Sequence, residues 1–308
     1  MNQLDRRTFL KRAGQAGGLV LAAGTLESIL AACGGNVSTT TGSATVTPGA
    51  TTVASAGLKS PGNLQWGADY VSGAPYVFKD PTNPSNLIGF EVEIAVAMAK
   101  LMGGIQQTQV EVCYSNLEQA LLGNQVDMVM NGWEKTADRL KTETFSDPYY
   151  SYGQQVIVRK DDTRFANVVP KTVKDLEGYT VGTGSGYKAE SIMLADKKIN
   201  VKSYTGNIAF TDLVQKKVDA FFLDFPIAAY YILGTGPGAT PIPELKLLGD
   251  PIYIDDYFVG FKKTNPNSAI LLPEINQCFA ILKKNGTLKK IYTKWQLMNS
   301  LQAQIGVM

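Results

Sequence analysis

Histidine is absent from all 308 residues of the chain. This excludes Ser-His and Cys-His catalysis, histidine general bases and most zinc sites, because each of them needs an imidazole. Cysteine is nearly as scarce, with Cys33, Cys113 and Cys278. The last two could form a disulfide or remain buried free thiols, and their apolar neighbours slightly favour free thiols. We therefore expect no metal site and no cofactor.

The chain also lacks an excess of charge of either sign. Its formal net charge is +2, and removal of residues 1–32 would take away four basic and two acidic side chains, which leaves a net charge of about zero. Proteins without a basic surplus are poor partners for nucleic acid. Beyond the N-terminal segment, no apolar run approaches the length that spans a membrane. We expect neither a nucleic-acid partner nor a membrane span in the body of the chain.

The N-terminal segment has the pattern of an export signal. Residues 5–11 (DRRTFLK) resemble the twin-arginine signal, although Asp5 stands where Ser or Thr is usual. Residues 13–32 are apolar but too polar for a stable membrane span, which is typical of a signal sequence. The segment ends in residues 30–33 (LAAC), which resemble a lipoprotein lipobox, and in that family Cys33 would be lipidated and begin the mature protein. An ordinary cleaved signal that happens to contain a cysteine is the alternative.

Residues 34–61 contain mainly Gly, Ser, Thr, Ala and Val. Such a segment cannot bury enough apolar surface to offset the entropy lost on ordering, so we expect a flexible linker. An export signal over residues 1–33, a lipid anchor and a linker together predict an extracytoplasmic protein attached to the cell membrane. The body that begins at residue 62 is long enough for two lobes of roughly 100–150 residues each.

A helix, a tight turn and a strand are predicted in the same order at two places. Residues 117–130 (LEQALLGNQVDMVM) and residues 210–222 (FTDLVQKKVDAFF) each end in Val-Asp and three apolar residues. Two similar units far apart indicate two α/β lobes of related design. The glycines of residues 182–186 (GTGSG) fit neither a dinucleotide-binding loop nor a Walker loop. We expect them to let backbone amides approach an anion at a helix N-terminus.

Arg139 ends the most informative segment, residues 131–139 (NGWEKTADR). The preceding residues 126–130 (VDMVM) predict a short buried strand, and α/β sheets place their ligands past the C-terminal ends of strands. A guanidinium can bind a carboxylate through two parallel hydrogen bonds, and it stays charged when partly desolvated. The alternative is a surface arginine paired with Asp138 or Glu143, and position and chemistry alone do not separate the two.

Four separated segments resemble one protein family. Residues 89–99 (GFEVEIAVAMA) match the signature of the solute-binding proteins for polar amino acids in ABC importers. Residues 136–139 (TADR) and 145–149 (FSDPY) resemble the carboxylate-binding segment of that family, and residues 285–295 (NGTLKKIYTKW) are similar to its closing helix. The resemblance covers roughly residues 62–297, in order and with few gaps.

The resemblance implies an α/β protein with the type II periplasmic-binding-protein fold, in which two lobes are joined by two hinge strands around a central cleft. The first lobe would comprise residues 62–152 and 256–308, and the second lobe residues 153–255. The hinges would fall near residues 153–156 and 257–260. The discontinuous first lobe follows from the family and not from the periodicity of the sequence.

The resemblance also implies where a zwitterionic amino acid would bind. Arg139 matches the carboxylate-binding arginine, and Asp224 matches the acid that takes the ammonium group. Asp224 lies in residues 221–225 (FFLDF), where one acid in an aromatic run needs a partner, although a solvated aspartate at a strand end is the alternative. The other expected contacts come from the first lobe at Asp69, Tyr70, Tyr76, Gly132, Glu134 and Thr136, and from second-lobe donors at Gly186, Tyr187 and Lys188.

Glu134 and Lys188 depart from the residues usual in the family, which are a small hydroxyl-bearing residue and often a threonine. An acid beside the carboxylate site would repel the ligand unless it is neutralised. We expect Glu134 to pair with Lys188 across the cleft or to face a cationic side chain of the ligand. Trp133 lies between two positions expected to face the cleft, so it should point into the first lobe. The loop from Asp69 to Pro75 looks one residue longer than in binders of basic amino acids, which leaves the ligand open.

We expect an extracytoplasmic receptor that captures an amino acid or a close analogue and delivers it to the permease of an ABC importer. We expect a monomer and not an enzyme. One alternative is a cyclohexadienyl-dehydratase-like enzyme on the same fold, with Glu134 as general acid, although Lys188 would oppose that role. Another alternative is a ligand-sensing receptor module, of the kind normally fused to a membrane span and a signalling domain.

Overall fold

The computed structural model describes residues 52–308, which contain twelve β-strands and eight α-helices. The strands are β1 (Asn63–Ala68), β2 (Phe78–Lys79), β3 (Leu87–Ile88), β4 (Gln106–Glu111), β5 (Met128–Val129), β6 (Glu143–Phe145), β7 (Tyr150–Arg159), β8 (Thr180–Gly184), β9 (Asn200–Tyr204), β10 (Ala220–Asp224), β11 (Leu245–Tyr257) and β12 (Gly260–Lys262). The helices are α1 (Phe90–Leu101), α2 (Leu117–Leu122), α3 (Arg139–Thr142), α4 (Lys188–Leu194), α5 (Phe210–Val214), α6 (Phe225–Ala228), α7 (Pro266–Lys284) and α8 (Thr287–Lys294). The predicted export signal, Cys33 and residues 34–51 of the predicted linker lie outside the described residues.

Ten of these strands form two five-stranded sheets. The first has the order β4-β1-β5-β12-β6 and the second the order β11-β7-β10-β8-β9. In the first sheet β1 pairs in parallel with β4 and β5, and in the second β8 pairs in parallel with β9 and β10. The strands β12 and β7 run antiparallel to their neighbours. We call the first sheet with α1, α2, α7 and α8 the first lobe, and the second sheet with α4, α5 and α6 the second lobe.

The chain passes between the two lobes twice. It leaves the first sheet after β6 and enters the second as β7, and it returns from β11 to β12. The crossing strands β7 and β11 are paired, with Tyr150 opposite Tyr257. The expected hinge segments, residues 153–156 and 257–260, fall within β7 and at the connection from β11 to β12. The residue bounds of the lobes remain a prediction.

The first described residues pack on the first lobe. Val53 is buried, and Ala56 N donates to Glu274 Oε1 at 3.0 Å. A Cβ at Gly57 would come within 2.4 Å of the α7 backbone, so the chain approaches this helix closely. Residues 52–61, which we expected in the flexible linker, therefore belong to the body. The reason is that Glu274 and a glycine supply backbone contacts that the composition of the segment does not reveal.

A loop between β1 and β2 is held against the start of α1. The first two helical N–H groups, those of Phe90 and Glu91, donate to the carbonyl oxygens of Pro75 and Tyr76, each at 3.1 Å. Gly89 has a φ of 149°, and a Cβ there would lie 1.9 Å from the Tyr76 carbonyl oxygen. Glycine is therefore required for this close approach. The contact fixes the part of the loop that carries Tyr76.

Apolar packing continues from one lobe to the other. One cluster of buried side chains includes Trp66 of the first lobe, Phe221 of the second lobe and Tyr257 between them. The rings of Phe78 and Tyr230 also meet, with their centres 5.4 Å apart. The lobes are therefore in contact through aromatic side chains.

Candidate functional site

A cavity lies between the lobes at the ends of three strands. Asp69 follows β1, Asn131 follows β5 and Asp224 ends β10, which is where α/β sheets bind ligands. The cavity is narrow in this arrangement of the lobes: the centre of a water-sized sphere can move through about 10 Å³, and the figure of about 300 Å³ for all space between the lining atoms includes open solvent. Its lining residues are Asp69, Ser72, Gly73, Tyr76, Tyr114, Asn131, Gly132, Tyr187, Asp224 and Ile227. Five of the predicted ligand-binding residues are therefore brought together.

Asp224 is buried on the second-lobe side of the cavity. Its carboxylate accepts hydrogen bonds from Tyr257 OH at 2.6 Å and Gln154 Nε2 at 2.8 Å, and Tyr76 OH lies 3.5 Å away. Burial raises the pKa of Asp224 to about 7, the charge of Glu134 adds to the rise, and the hydrogen bonds oppose it. Because the hydrogen-bonding partners are neutral, a ligand cation would stabilise the charged form. The alternative of a solvated aspartate is wrong.

Tyr76 extends from the first lobe to the Asp224 cluster. Tyr76 OH and Tyr257 OH are 2.7 Å apart, and Tyr257 donates to Asp224, so Tyr76 is free to donate to Tyr257. Gly132 has a φ of 59°, and a Cβ there would lie 3.0 Å from the Tyr76 ring. Glycine at this position therefore allows the loop after β5 to pack against the ring.

Asp69 lines the cavity with its carboxylate already engaged, whereas Tyr70 lies outside the cavity. The Asp69 carboxylate accepts from Ser72 N at 2.9 Å and from Tyr114 N at 3.2 Å, so it stabilises its own loop. Tyr70 lies outside the central cavity and lines a neighbouring groove. Of the two tyrosines expected to cover the ligand, Tyr76 is the one that faces the cavity.

Arg139 is buried in the first lobe, with 8% of its surface exposed. Its Nη1 donates to Glu134 O at 3.0 Å and to Glu134 Oε2 at 3.2 Å. The guanidinium carbon lies 3.2 Å from the centre of the Trp133 ring, within the range of a cation–π interaction. Burial acts to lower the pKa of Arg139, but Tyr114 and Glu134 raise it above its usual value. The guanidinium therefore stays charged.

The acids near Arg139 in the sequence have other partners. Asp138 accepts from Lys141 Nζ at 2.6 Å, and Glu143 accepts from Trp133 Nε1 at 2.8 Å. The alternative of a surface arginine paired with either acid is therefore wrong. Trp133 is 1% exposed and packs among apolar side chains beneath β5, which confirms that it points into the first lobe.

Thr136 contributes to the position of Arg139. Its Oγ1 accepts from Arg139 N at 3.2 Å, just before α3 begins at Arg139. Thr136 is not among the lining residues of the cavity. Its contact therefore orders the turn that carries the arginine, where the sequence suggested a direct contact with the ligand.

Glu134 is buried with both carboxylate oxygens engaged. Oε2 accepts from Arg139 Nη1 at 3.2 Å and from Tyr114 OH at 3.1 Å, and Oε1 accepts from Tyr152 OH at 3.1 Å. Neither Glu134 nor Arg139 lines the cavity, whereas Tyr114 does. Tyr114 therefore connects the cavity with the Arg139–Glu134 ion pair.

The second-lobe residues 186–188 make contacts within their own lobe. Gly186 N donates to Glu190 Oε2 at 2.7 Å, and Tyr187 N donates to a carbonyl oxygen in its own turn at 3.2 Å. Lys188 forms an ion pair with Asp255 of β11. The expected pairing of Lys188 with Glu134 is wrong, because each has an opposite charge within its own lobe.

Two glycines of residues 182–186 make room for aromatic rings. A Cβ at Gly182 would lie 2.3 Å from the Phe221 ring, and one at Gly184 would lie 2.5 Å from the Tyr187 ring. Ring packing therefore accounts for both glycines, and the expected approach of backbone amides to a ligand anion stays a prediction. Tyr187 itself lines the cavity and faces Tyr114 across it, with ring centres 4.8 Å apart.

Glu91 supports the site from beneath. It is fully buried, and its Oε1 accepts from Gly132 N at 2.8 Å and from Tyr149 OH. Burial raises the pKa of Glu91 to about 8, against the effect of these hydrogen bonds. The side chain therefore fixes the start of the loop that ends at Arg139.

Three side chains at the site, Tyr114, Gln154 and Tyr257, were not predicted from the sequence. Tyr114 follows β4 as Asp69 follows β1, so its position past a strand is a signal that could have found it. Gln154 and Tyr257 reach Asp224 because the crossing strands β7 and β11 lie side by side, and no local pattern reveals that pairing.

The described residues also bear on the cysteines, on metal binding and on membrane spans. Cys113 and Cys278 are both free, in agreement with the preference for free thiols. Within residues 52–308 no group of three or more metal-ligating side chains occurs. The same part of the chain has no helix of the length and hydropathy that a membrane span requires.

Comparison with known proteins covers both lobes. Residues 67–298 match bacterial extracellular solute-binding proteins, family 3. The chain is 31% identical to the probable amino-acid-binding protein YxeM of Bacillus subtilis (strain 168), over 72% of this chain and 79% of the relative. It is 30% identical to the arginine-binding periplasmic protein of Mannheimia haemolytica, over 71% and 86% of the two chains.

A solved structure shows the same architecture. The ancestral amino acid-binding protein AncCDT-1, a precursor of cyclohexadienyl dehydratase, has a TM-score of 0.65 and 28% identity, over 76% of this chain and 95% of that chain. The two sheets and the structural neighbours confirm the predicted two-lobed type II fold. With the match over residues 67–298, the chain belongs to the bacterial extracellular solute-binding proteins of family 3.

Proposed function

We propose that this protein is an extracytoplasmic receptor that captures an amino acid or a close analogue between its lobes and delivers it to an ABC importer. The observation that carries the proposal is the buried Asp224 carboxylate, which has neutral partners from the first lobe and from both crossing strands in Tyr76, Gln154 and Tyr257. Such a group suits a ligand ammonium, because a buried carboxylate needs a compensating cation. The relatives named above are amino-acid-binding proteins, and one is an arginine-binding protein.

Arg139 is the proposed partner of the ligand carboxylate. A guanidinium carries five N–H donors, and the hydrogen bonds to Glu134 come from Nη1. Tyr76, Gly132 and Tyr187 would enclose the ligand between the two charged ends, since all three line the cavity.

Ligand capture would favour the arrangement in which the lobes are in contact. Tyr76 of the first lobe and Asp224 of the second would both touch the ammonium end. A ligand that touches both lobes stabilises this arrangement by the difference between its affinities for the closed and the open forms. A permease that recognises the closed arrangement would then receive loaded protein.

Membrane attachment is the second part of the proposal. The sequence supports export by the twin-arginine route, lipidation of Cys33 and a linker, which would end before residue 52. We propose a first lobe that contains residues 62–152 and 256–308 and a second lobe of residues 153–255. We propose that the anchored receptor acts as a monomer. Mass spectrometry of Cys33 in membrane fractions, beside a Cys33→Ser variant, tests the anchor, and unmodified Cys33 in soluble protein would contradict it.

The dehydratase alternative has little support from the site. A general acid must hold a proton that it can donate, whereas Glu134 is hydrogen-bonded as an ion pair to Arg139. The two curated relatives named above are amino-acid-binding proteins by name, and the prediction that this chain is not an enzyme agrees with them.

A thermal-shift screen of amino acids, opines and small amines tests the proposed function. A ligand held by both lobes should raise the melting temperature in proportion to the logarithm of its concentration above the Kd. Calorimetry on the strongest hits then gives the Kd. If no member of the three classes raises the melting temperature, the proposed function is wrong.

A further inference from the structure

The ion pair of Glu134 and Arg139 is built into the first lobe. Glu134 is 1% exposed, and its two oxygens are satisfied by Arg139, Tyr114 and Tyr152. Arg139 donates to both the backbone and the side chain of Glu134. The guanidinium therefore already holds a carboxylate, supplied by the chain, in the role proposed for the carboxylate of a ligand.

A second carboxylate at Arg139 would meet two obstacles. It would bring a negative charge next to Glu134, and like charges in a buried site repel strongly. It would also have to pass Tyr114, which lines the cavity and donates to Glu134, whereas Arg139 does not line it. Lys188 relieves this repulsion only in part: it is paired with Asp255, although the charges of Glu134 and Asp224 also act on it against the effect of burial on its pKa.

At the opposite end of the cavity, around Asp224, the local charge favours a ligand cation. Asp224 accepts hydrogen bonds from the neutral groups of Tyr76, Tyr257 and Gln154, and Lys188 acts on it only through its charge, without a hydrogen bond. The charge of Glu134 acts on Asp224, since it contributes to the raised pKa of that carboxyl group. A cation placed in the cavity is therefore attracted by both acids.

We propose that Glu134 is a specificity-determining residue that holds Arg139, weakens binding of the α-carboxylate and biases the cleft towards cationic ligands, including aliphatic amines without a carboxylate. This inference rests on the proposed function and names the ligand class of the same cleft. The inference adds an expectation to the proposed function: removal of the ligand carboxylate should weaken binding little.

Two matched ligand pairs test the inference by calorimetry. L-arginine is compared with agmatine, and L-lysine with cadaverine, so that each pair differs by the carboxylate. For the wild-type chain we expect the amine to bind within about tenfold of its amino acid, where an unshielded arginine site would discriminate by a hundredfold or more. For Glu134→Gln we expect the ratio of the amine Kd to the amino-acid Kd to rise by about tenfold or more.

Two further variants separate charge from structure. Asp138→Asn removes an acid adjacent to Arg139 whose exposed side chain pairs with Lys141, and the ratio should stay at the wild-type value. The double variant Glu134→Gln with Arg139→Gln removes both charges of the pair, and its ratio should return towards the wild-type value. Melting temperatures show that each variant is folded.

Three results would overturn the inference. One is a wild-type preference for the amino acid above about a hundredfold, a measurement that does not depend on any variant folding. Another is an unchanged ratio in Glu134→Gln, and the third is a double variant that matches the single one. If the wild-type chain binds none of the four ligands, the inference also fails, while the proposed function is still judged on the full screen of amino acids.

Discussion

Substitution of Asp224 by Asn tests the charge at the centre of the site. Asn is nearly isosteric, so the packing with Tyr257 and Gln154 should be retained while the negative charge is lost. Truncating one partner of a buried, hydrogen-bonded charge pair costs about 2–5 kcal/mol, which is roughly a 30- to 5,000-fold loss of affinity. We expect a loss in this range for ligands with an ammonium group, measured by calorimetry on the best ligand of the screen.

The role of Asp224 also predicts how the binding affinity should change with pH. Burial raises the pKa of Asp224 to about 7, so the group is largely protonated below that pH. A ligand ammonium binds the charged carboxylate, and the affinity of the wild-type chain should therefore fall by about tenfold per pH unit below about pH 7. The affinity of Asp224→Asn should not follow this dependence.

The stability of the chain without ligand should depend on pH in the opposite direction to the ligand affinity, so it should fall as the pH rises. A carboxyl group whose pKa is raised on folding contributes stability that is complete below its unfolded pKa and lost as the pH rises through the folded pKa. For Asp224 this window runs from 3.8 to about 7, and it corresponds to roughly 4 kcal/mol. Asp224→Asn should therefore melt higher than the wild-type chain at pH 8, by an amount that shrinks towards pH 4.

Asp161→Asn is the matched control, since Asp161 is an exposed acid of the second lobe. It should leave the affinity, its pH dependence and the melting temperature unchanged. If Asp224→Asn binds within about threefold of the wild-type chain with the same pH profile, Asp224 does not bind the ammonium, because any charge pair of this burial would cost more.

Three other substitutions test the support of the site. Arg139→Ala leaves Glu134 buried without its cation, so the free energy of unfolding should fall by about 3–5 kcal/mol in urea titrations, and an unchanged midpoint would contradict the ion pair. Gly132→Ala should lower the free energy of unfolding by about 1–2 kcal/mol because of the positive φ, and it should also weaken ligand binding in calorimetry. Its control is Gly104→Ala, at a φ of 73° in open space, which should lower the free energy of unfolding without a change in ligand binding. Because burial raises the pKa of Glu91 to about 8, its contribution to stability is complete below 4.5 and lost as the pH rises through 8, and Glu91→Gln should remove that loss from thermal melts.

Of the two charged residues proposed to bind the ligand, Asp224 has the stronger local signal in the sequence. Asp224 lies in an aromatic run at the end of β10, and a lone acid there had to be buried with partners. Arg139 follows a strand predicted from a short β-branched run, and the family resemblance decided between its two interpretations. Trp133 was placed correctly by its position between cleft-facing neighbours.

The partners of these residues were not predictable, because they come from segments far apart in the chain. Tyr257 is 33 residues from Asp224 and Gln154 is 70, and both reach it through the pairing of the crossing strands. Glu134 was expected to find Lys188, but Arg139 lies on the same loop and Asp255 lies beside Lys188. The sequence shows that a buried charged residue needs an oppositely charged partner, but it does not show which opposite charge lies nearest in the fold.

The two ends of the cleft should therefore contribute unequally to affinity. A ligand ammonium at Asp224 exchanges neutral hydrogen bonds from Tyr76, Tyr257 and Gln154 for a charged partner, so the exchange gains electrostatic free energy. A ligand carboxylate at Arg139 competes with Glu134, which already provides a charged partner, so its net gain is smaller. A ligand can shift the equilibrium between open and closed lobes only by the free energy it gains from contacts in the closed form. The affinity lost in Asp224→Asn should therefore exceed the affinity lost when a ligand is decarboxylated. Calorimetry with L-arginine and agmatine on the wild-type chain and with L-arginine on Asp224→Asn compares the two losses directly, and the reverse order would show that Arg139 is the dominant end of the site.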